Sequence, residues 1–354
     1  MPAPNPLAAD LDHVLAHTEH LWSDARGARF FITGGTGFVG TWLVESLLWA
    51  NARLNLGISA VLLTRQPNPF PHLNLSILQS DIADFAFPSG AFPFVIHAAT
   101  TQMQDLVGQV GNLRRVGNPP AALFDLDVSA TRRVLDFAAT HNTRRFLFTS
   151  SGAVYGKQPP EITHVPEDYR GAPLTTDSDS SYGQAKRVSE FLCCACGPAH
   201  GIDPLIARLF AFVGPWLPLD RNFAVGNFIR DVLEGGPIRI SGDGTPYRSY
   251  LYAADMAIWL WTILFRGKPG RPYNVGSPHE LTIAELAQRV ASAISPRTAI
   301  RIAQEPVPGT PAQRYVPSTR RAESELGVQS WILLEEAIQR TYQWQAPRYA
   351  GAGA

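Results

Sequence analysis

The feature that most constrains the fold is a glycine-rich turn between an apolar strand, predicted over residues 29–33, and a helix predicted over residues 38–50. Three glycines recur in the turn at intervals of three residues, at Gly34, Gly37 and Gly40. The first permits a tight turn, the second lets the backbone approach a pyrophosphate, and the third lets the helix pack closely on the strand. The first helical residues, Phe38 and Val39, then offer free N–H groups to an anion. The turn therefore predicts a dinucleotide site.

Apolar runs and helical patterns alternate along the first 211 residues. Further strands are predicted at 59–63, 74–78, 94–97, 145–149 and 204–210, and helices at 119–141 and 182–200. Buried parallel strands read as continuous apolar runs, and strands that alternate with helices form a doubly wound sheet. We therefore predict an α/β fold of Rossmann type, with about seven parallel strands and a ligand at their carboxyl ends.

The pattern changes after residue 211, where Pro and Gly become frequent and short elements follow at irregular spacing. This change predicts a smaller C-terminal α/β domain that binds substrate, with some segments returning to the Rossmann domain. Residues 170–180 are expected to contribute to the substrate side. The predicted boundaries are an N-terminal polar extension at 1–28, a cofactor domain at 29–211, a mainly substrate-binding domain at 212–345 and a tail at 346–354.

Composition excludes several classes of protein. Lys and Arg number 30, as do Asp and Glu, so there is no polybasic surface for nucleic acid. Three clustered cysteines, Cys193, Cys194 and Cys196, show no metal-type spacing, and we expect them to pack on a helix. The start of the chain lacks the pattern of a signal peptide, and its apolar runs are too short to span a membrane. A cytoplasmic protein without metal is expected.

The adenosine end of the dinucleotide site is less clearly specified. An NAD site usually has an acidic residue where the second strand ends, and here Thr64 and Arg65 stand there. Arg65 is suited to a 2′-phosphate, which leaves both NAD and NADP open. Further contacts to the cofactor are expected after the third and fourth strands, from Asp81, Ile82, Ala98, Ala99 and Thr100.

A tyrosine and a lysine share one face of the helix predicted at 182–200. Tyr182 and Lys186 lie four residues apart, a spacing that puts them on the same side of a helix. A nearby ammonium lowers the pKa of a phenol because it favours the phenolate. Such a tyrosine can take a proton from a hydroxyl while hydride leaves for a nicotinamide. The preceding strand ends in Ser150 and Ser151, close to where this chemistry would occur.

Three segments together resemble the extended short-chain dehydrogenase/reductase family, in its nucleotide-sugar epimerase/dehydratase branch. They are residues 33–40, 150–156 and 182–186. The resemblance continues in residues 208–215, 242–250 and 273–277, so it covers nearly all of the chain after residue 28. The order and spacing of these segments make the resemblance specific. It implies NAD as the cofactor, with NADP as the alternative because of Arg65.

The resemblance also implies roles for five residues. Ser151 would hydrogen-bond the reacting sugar hydroxyl, Tyr182 would be the base, and Lys186 would be its electrostatic partner. Arg248 would grip the diphosphate of a nucleotide sugar, a task that suits the planar guanidinium. Asn227 stands where this family often contacts the same diphosphate. Helices around 122–140 and 183–199 pair in relatives, which implies a homodimer.

The residues after Ser151 narrow the reaction. The 4,6-dehydratases of this branch resemble one another in an Asp-Glu pair there, and this chain has Gly152 and Ala153. Neither residue transfers a proton, so dehydration is disfavoured. Sugar-acid decarboxylases usually keep Glu at the second position, so Ala153 also argues against decarboxylation, though less strongly. We predict epimerisation through a transient 4-ketone.

Other reactions stay open at this point. An NADPH-dependent reductase of a 4-keto sugar or of a small carbonyl is one alternative, and a sugar-acid decarboxylase is another in spite of Ala153. A third is a non-catalytic protein that senses the cofactor. Two positions depart from the family, which usually has asparagine where this chain has Asp127 and Ala211. We therefore expect substrate contacts, or the helix geometry near Lys186, to differ from those of well-known epimerases.

Overall fold

The computed structural model of the protein describes residues 5–65, 74–100, 119–221 and 223–352. The strands of the central sheet are β1 (Arg29–Thr33), β2 (Ser59–Thr64), β3 (Leu75–Gln79), β4 (Phe94–His97), β5 (Arg145–Ser151), β6 (Asp203–Leu209) and β11 (Pro272–Val275). All pair in parallel, in the order β11-β6-β5-β4-β1-β2-β3. The predicted Rossmann-type sheet is therefore confirmed, and the order reverses beside β1, where such folds bind dinucleotides.

Helices cover both faces of this sheet. They are α1 (Ala8–Thr18), α2 (Phe38–Leu54), α3 (Pro119–Thr140), α4 (Ser181–Cys196), α5 (Ala224–Leu233), α6 (Ala253–Arg266), α7 (Ile283–Ile294), α8 (Arg320–Leu326) and α9 (Leu334–Ala352). One core lies between the sheet and α2 and α6, and a second lies between the sheet and α3 and α4. The apolar run in α6 is explained by its position, because every residue from Ala253 to Phe265 is buried.

The segment before β1 packs far more tightly than a polar extension would. Leu11, Leu21 and Trp22 are fully buried, and the Trp22 and Trp261 rings lie 4.7 Å apart. The sequence marked this segment only as a polar extension, because its partner surface on α6 is more than 200 residues away. At the other end of the chain, α9 continues to Ala352, so most of the predicted tail is helical.

The region after β6 adds small sheets beside the carboxyl edge of the large one. Its short strands are β7 (Phe212–Val213), β8 (Ile238–Ile240), β9 (Tyr247–Ser249), β10 (Leu251–Tyr252), β12 (Glu280–Thr282), β13 (Ile300–Ile302) and β14 (Arg314–Tyr315). Strand β9 lies between β12 and β14, and its register sets Arg248 beside Tyr315. A bridge from Val165 to Pro317 joins this sheet to the loop after β5.

The cysteines and the apolar helices behave largely as ordinary packing elements. Cys193 is buried in the second core, Cys196 is partly buried, and Cys194 is exposed. Within the described ranges, no helix is long and apolar enough to cross a membrane. The same ranges contain no cluster of three or more His, Cys, Asp or Glu side chains arranged to hold a metal.

The packing of the N-terminal segment can be tested by a pair of tryptophan substitutions. Trp22→Ala removes a fully buried ring and leaves a cavity against Trp261. We expect the free energy of unfolding in urea to fall by about 3–5 kcal/mol. Trp49→Ala is the control, because that ring is partly exposed and lies under Arg53 at the surface. Equal losses for the two variants would contradict the packing described here.

Candidate active site

The glycine turn after β1 fits a dinucleotide phosphate group. Gly34 has φ +71°, and a Cβ there would lie 2.4 Å from the backbone nitrogen of Ala99. A Cβ on Gly40 would lie 2.1 Å from the carbonyl oxygen of Gly34. Only glycine therefore allows β1, α2 and the end of β4 to approach so closely. Gly37 caps α2 without a side-chain hydrogen bond, which leaves the first N–H groups of the helix for an anion.

The adenosine end of the predicted site lies where β2 and β3 end. Thr64 is buried, and its hydroxyl oxygen is 3.3 Å from that of Thr36 in the glycine turn. Arg65 is exposed, and Ile82 is partly buried. The Asp81 carboxylate accepts a hydrogen bond from the Ala83 N–H at 2.9 Å and so braces its own turn. The choice between NAD and NADP stays a prediction, which depends on whether Arg65 binds a 2′-phosphate.

A buried histidine links the glycine turn to the helix that carries Tyr182. His97 Nδ1 lies 2.8 Å from the Thr33 hydroxyl, and His97 Nε2 lies 3.2 Å from the Thr131 hydroxyl. Thr131 in turn donates to the Ser189 hydroxyl at 3.0 Å. Burial, together with the charge of Lys186, lowers the pKa of His97 to about 3, so its ring stays neutral. This chain of hydrogen bonds fixes α4 relative to the cofactor turn.

The reacting groups meet at the carboxyl end of β5. Ser151 is its last residue, and the Ser151 hydroxyl accepts a hydrogen bond from the Ala153 N–H at 3.1 Å. Tyr182 lies in the first turn of α4, and the Ser151 and Thr100 side chains are close enough to its phenol to lower its pKa. Burial raises the pKa of Tyr182 to about 12, and these two neighbours only partly offset that effect. Ser151 and Tyr182, predicted separately from sequence, therefore face one another.

Lys186 lies one turn along α4 from Tyr182, with its ammonium 5.7 Å from the centre of the Tyr182 ring. The ammonium donates to the carbonyl oxygen of Thr149 at 3.3 Å and lies 3.9 Å from an oxygen of Asp127. Burial lowers the pKa of Lys186, and the charge of Asp127 opposes that effect. One of the two departures from the family is thus a direct neighbour of the lysine. The other, Ala211, only accepts a backbone hydrogen bond from the residue that begins β10.

A second phenol lies at the same point, and sequence reasoning missed it. A Cβ on Gly152 would lie 2.7 Å from the hydroxyl oxygen of Tyr315, so this phenol fills the space of a side chain at residue 152. It also interacts with Ser151, and burial raises its pKa to about 12. Tyr315 lies outside the segments that carry the family resemblance, so no sequence motif marked it. Its position depends on the register of β14 against β9.

The two residues predicted to hold a diphosphate lie on the C-terminal region. Arg248 is partly buried, donates to the carbonyl oxygen of Tyr247 at 2.7 Å, and lies 5.9 Å from the Tyr315 ring. Within the described residues, no carboxylate forms an ion pair with Arg248, so its charge is available to an anion. Asn227 lies inside α5, so it is not a helix cap. Its buried side-chain oxygen has no hydrogen-bond partner among the described residues, as expected for a group that meets a polar ligand.

An ion pair beneath the site holds α4 to β6. Arg208 makes two hydrogen bonds to the Glu190 carboxylate, at 2.9 and 2.7 Å. The same carboxylate accepts a hydrogen bond from Ser150 at 2.5 Å. Arg208 also donates to the Tyr155 hydroxyl at 2.9 Å. Glu190 lies one turn beyond Lys186, so this cluster fixes the rotation of the helix that carries the reacting pair.

Comparison with known proteins agrees with this geometry. The model of the NAD dependent epimerase/dehydratase family matches residues 30–276. UDP-glucuronic acid decarboxylase 5 of Arabidopsis thaliana is 29% identical over 88% of this chain and 87% of its own length. UDP-glucuronic acid decarboxylase 1 of Danio rerio is 27% identical over 89% of this chain and 72% of its own length.

Solved structures show the same fold. A UDP-glucose 4-epimerase of Thermotoga maritima, solved with UDP-glucose, has a TM-score of 0.74 at 19% identity, over 90% of this chain and 99% of that one. A dTDP-glucose 4,6-dehydratase of Streptomyces venezuelae, solved with NAD and TYD bound, has a TM-score of 0.72 at 22% identity, over 91% of this chain and 98% of that one.

The close approach at the glycine turn can be tested with two glycines that share a positive φ. Gly34→Ala places a Cβ against the Ala99 nitrogen, so the turn must move. We expect at least about a tenfold loss of NAD affinity by calorimetry. Gly57→Ala is the control, since Gly57 has φ +68° but nothing lies within 4 Å of the added Cβ. Unchanged NAD affinity in folded Gly34→Ala protein would contradict a cofactor site at this turn.

Proposed function

The chain belongs to the NAD dependent epimerase/dehydratase family, and from that premise we propose that it modifies a nucleotide-activated sugar through a transient 4-ketone, with epimerisation at C4 as the outcome. The observation that carries the proposal is the meeting of Ser151 and Tyr182 at the end of β5, with Lys186 one turn away. Gly152 and Ala153 add no carboxylate beside them. The site thus has the groups that oxidation and reduction of a hydroxyl need, and the two positions after Ser151 lack the carboxyl pair that is typical of 4,6-dehydratases.

The glycine turn would hold the cofactor's pyrophosphate, and the ends of β2, β3 and β4 would line the rest of its path. A bound oxidised cofactor would supply the acceptor for the C4 hydride, and the positive charge of its nicotinamide would favour phenolate at Tyr182. Thr100 follows β4 and is close to both residues, since its hydroxyl donates to Asp127 at 2.8 Å and lowers the pKa of Tyr182. The neighbouring family structures that hold NAD support NAD as the cofactor here.

Proton transfer is the task of the chain's own residues. Ser151 would hydrogen-bond the C4 hydroxyl and hold its oxygen next to Tyr182. The Tyr182 oxygen takes the hydroxyl proton as the C4 carbonyl forms, and gives it back when the carbonyl is reduced. The raised pKa keeps Tyr182 protonated at neutral pH, so a positive charge beside it would be needed to favour the phenolate.

The diphosphate of the substrate would lie against Arg248 and Asn227, which the C-terminal region presents. Retaining this group matters for epimerisation, because the 4-keto sugar must turn over within the site while its nucleotide stays bound. An arginine without an ion pair to the described carboxylates and an amide oxygen without a partner support that arrangement.

Decarboxylation of a nucleotide-linked sugar acid is the second candidate, because the relatives named above are UDP-glucuronic acid decarboxylases. A 4-ketone lets the C5 carboxylate leave as CO₂, and the electron pair of the broken bond is left in an enolate. A proton must then be added at C5. Tyr315 favours this candidate, since its phenol lies at Gly152 beside Ser151 and its raised pKa keeps the proton on. Ala153 still argues against it.

Reduction of a 4-keto sugar or a small carbonyl by NADPH is supported by exposed Arg65 alone.

We also expect a homodimer through α3 and α4, where Leu126 is 41% and Phe191 is 68% exposed. Both helices pack on one another and on the sheet, and these two apolar side chains lie outside that packing.

The proposal is tested by incubating the purified protein with UDP-, GDP-, CDP- and dTDP-sugars, UDP-glucuronic acid included, and identifying products by NMR. We expect a C4 epimer of at least one sugar without added cofactor, because NAD returns to its starting state. Tyr182→Phe should lower kcat by at least about a hundredfold. Tyr169→Phe is the control, because Tyr169 is a phenol outside the reacting pair.

Each alternative has its own result. Release of CO₂ from UDP-glucuronic acid would assign decarboxylation, and not epimerisation, as the reaction. Turnover only with added NADPH would assign reduction. No turnover of any sugar, with Tyr182→Phe indistinguishable from the unmodified protein, refutes the proposed function.

A further inference from the structure

Asp127 puts a carboxylate into the reacting site where relatives by resemblance usually have asparagine. One of its oxygens lies 3.9 Å from the Lys186 ammonium. The same oxygen accepts a hydrogen bond from the Thr100 hydroxyl at 2.8 Å. The side chains of Asp127 and Lys186 are only 4% and 3% exposed, so water screens the two charges poorly. The lysine that accompanies Tyr182 is therefore one half of a buried ion pair.

We propose that Asp127 is a positioning residue, which holds the Lys186 ammonium and the Thr100 hydroxyl and by its charge sets the pH range in which Tyr182 accepts a proton. This role of Asp127 depends on the proposed function in one respect only, namely that Tyr182 uses the proton in sugar chemistry. A neutral asparagine would hold the same neighbours without balancing the charge of the lysine.

Other titratable groups lie around this pair on each described element that packs against it. They are Glu190 and Cys193 on α4, His97 on β4, Tyr315 on β14 and Arg248 on β9. Glu190 is paired with Arg208, and burial keeps His97 neutral and raises the pKa of the Cys193 thiol. Asp127 therefore supplies the negative charge that directly opposes ionisation of Tyr182.

The direction of the effect follows from two separate influences. The Asp127 carboxylate raises the pKa of Tyr182, because a second negative charge nearby disfavours the phenolate. It also raises the pKa of Lys186, because it stabilises the ammonium. Removing the carboxylate lowers both pKa values. In the cofactor complex, where the nicotinamide charge would lower the pKa of Tyr182, that residue sets the acid limb of activity and Lys186 sets the alkaline limb. Both limbs then move to lower pH.

Asp127→Asn tests this inference because it removes the charge and keeps the shape and the acceptor for Thr100. The first readout needs no sugar: the phenolate absorbance of Tyr182 against pH, taken as the difference from the same protein with Tyr182→Phe. We expect the titration of Tyr182 to move to lower pH by about one unit or more. Asp125→Asn is the matched control, an exposed carboxylate on the same helix, and should leave the titration unchanged.

The second readout is the pH profile of kcat/KM with a sugar nucleotide that the panel shows to be turned over. Both limbs should move to lower pH in Asp127→Asn and stay in place in Asp125→Asn. Asp127→Glu keeps the charge and should restore the original profile, which also covers the case in which the asparagine variant fails to fold. A role in packing alone would change stability or rate but not these pH values.

The outcomes separate the inference from the proposed function. A Tyr182 titration that stays in place, or that moves to higher pH, in Asp127→Asn overturns the role of Asp127. An Asp127→Glu profile displaced as far as that of Asp127→Asn also overturns it. A downward shift of the phenolate titration without turnover of any sugar supports the role of Asp127 and refutes the proposed function.

Discussion

The fold depends on the glycine turn after β1, where two backbone segments approach so closely that there is no room for a side chain. A Cβ on Gly34 would lie within 2.6 Å of three atoms of Ala98 and Ala99, and one on Gly40 would meet Gly34 itself. These contacts bring β1, β4 and the start of α2 together at the carboxyl edge of the sheet. The helix N-terminus, the path after β4 and the Thr33–His97 hydrogen bond all follow from that approach. The turn is too narrow for anything but glycine, as the proposed cofactor site requires.

A second constraint is the cost of burying charge beside that edge. Lys186 and Asp127 neutralise one another, Arg208 and Glu190 do the same one turn further on, and His97 stays neutral. Each arrangement avoids an unpaired charge in the interior, which is costly. Together they fix α4 in position and rotation, so Tyr182 meets Ser151 without the help of a ligand. Chemistry at this site is then governed by which neighbouring charges favour or oppose the phenolate.

The sequence predicted what depends on local pattern and left out what depends on distant partners. The strands at β1 and β4, the glycine turn and the Tyr182–Lys186 face were read from short segments, and the structure places them as expected. Tyr315 could not be assigned, because its place beside Gly152 depends on strand pairing with β9. The packing of Trp22 on Trp261 depends on residues at opposite ends of the chain. Asp127 was noticed as a departure, but its distance to Lys186 needed the fold.

In the proposed reaction, C4 of the sugar is oxidised and then reduced again within one site. The most direct measurement follows deuterium carried at C4 of the sugar nucleotide that the protein turns over, with the product examined by NMR. We expect deuterium to remain at C4 of the epimer, with none lost to water and none exchanged with added NAD. Loss of the label to solvent, or an epimer formed at another carbon while C4 keeps its configuration, would contradict it.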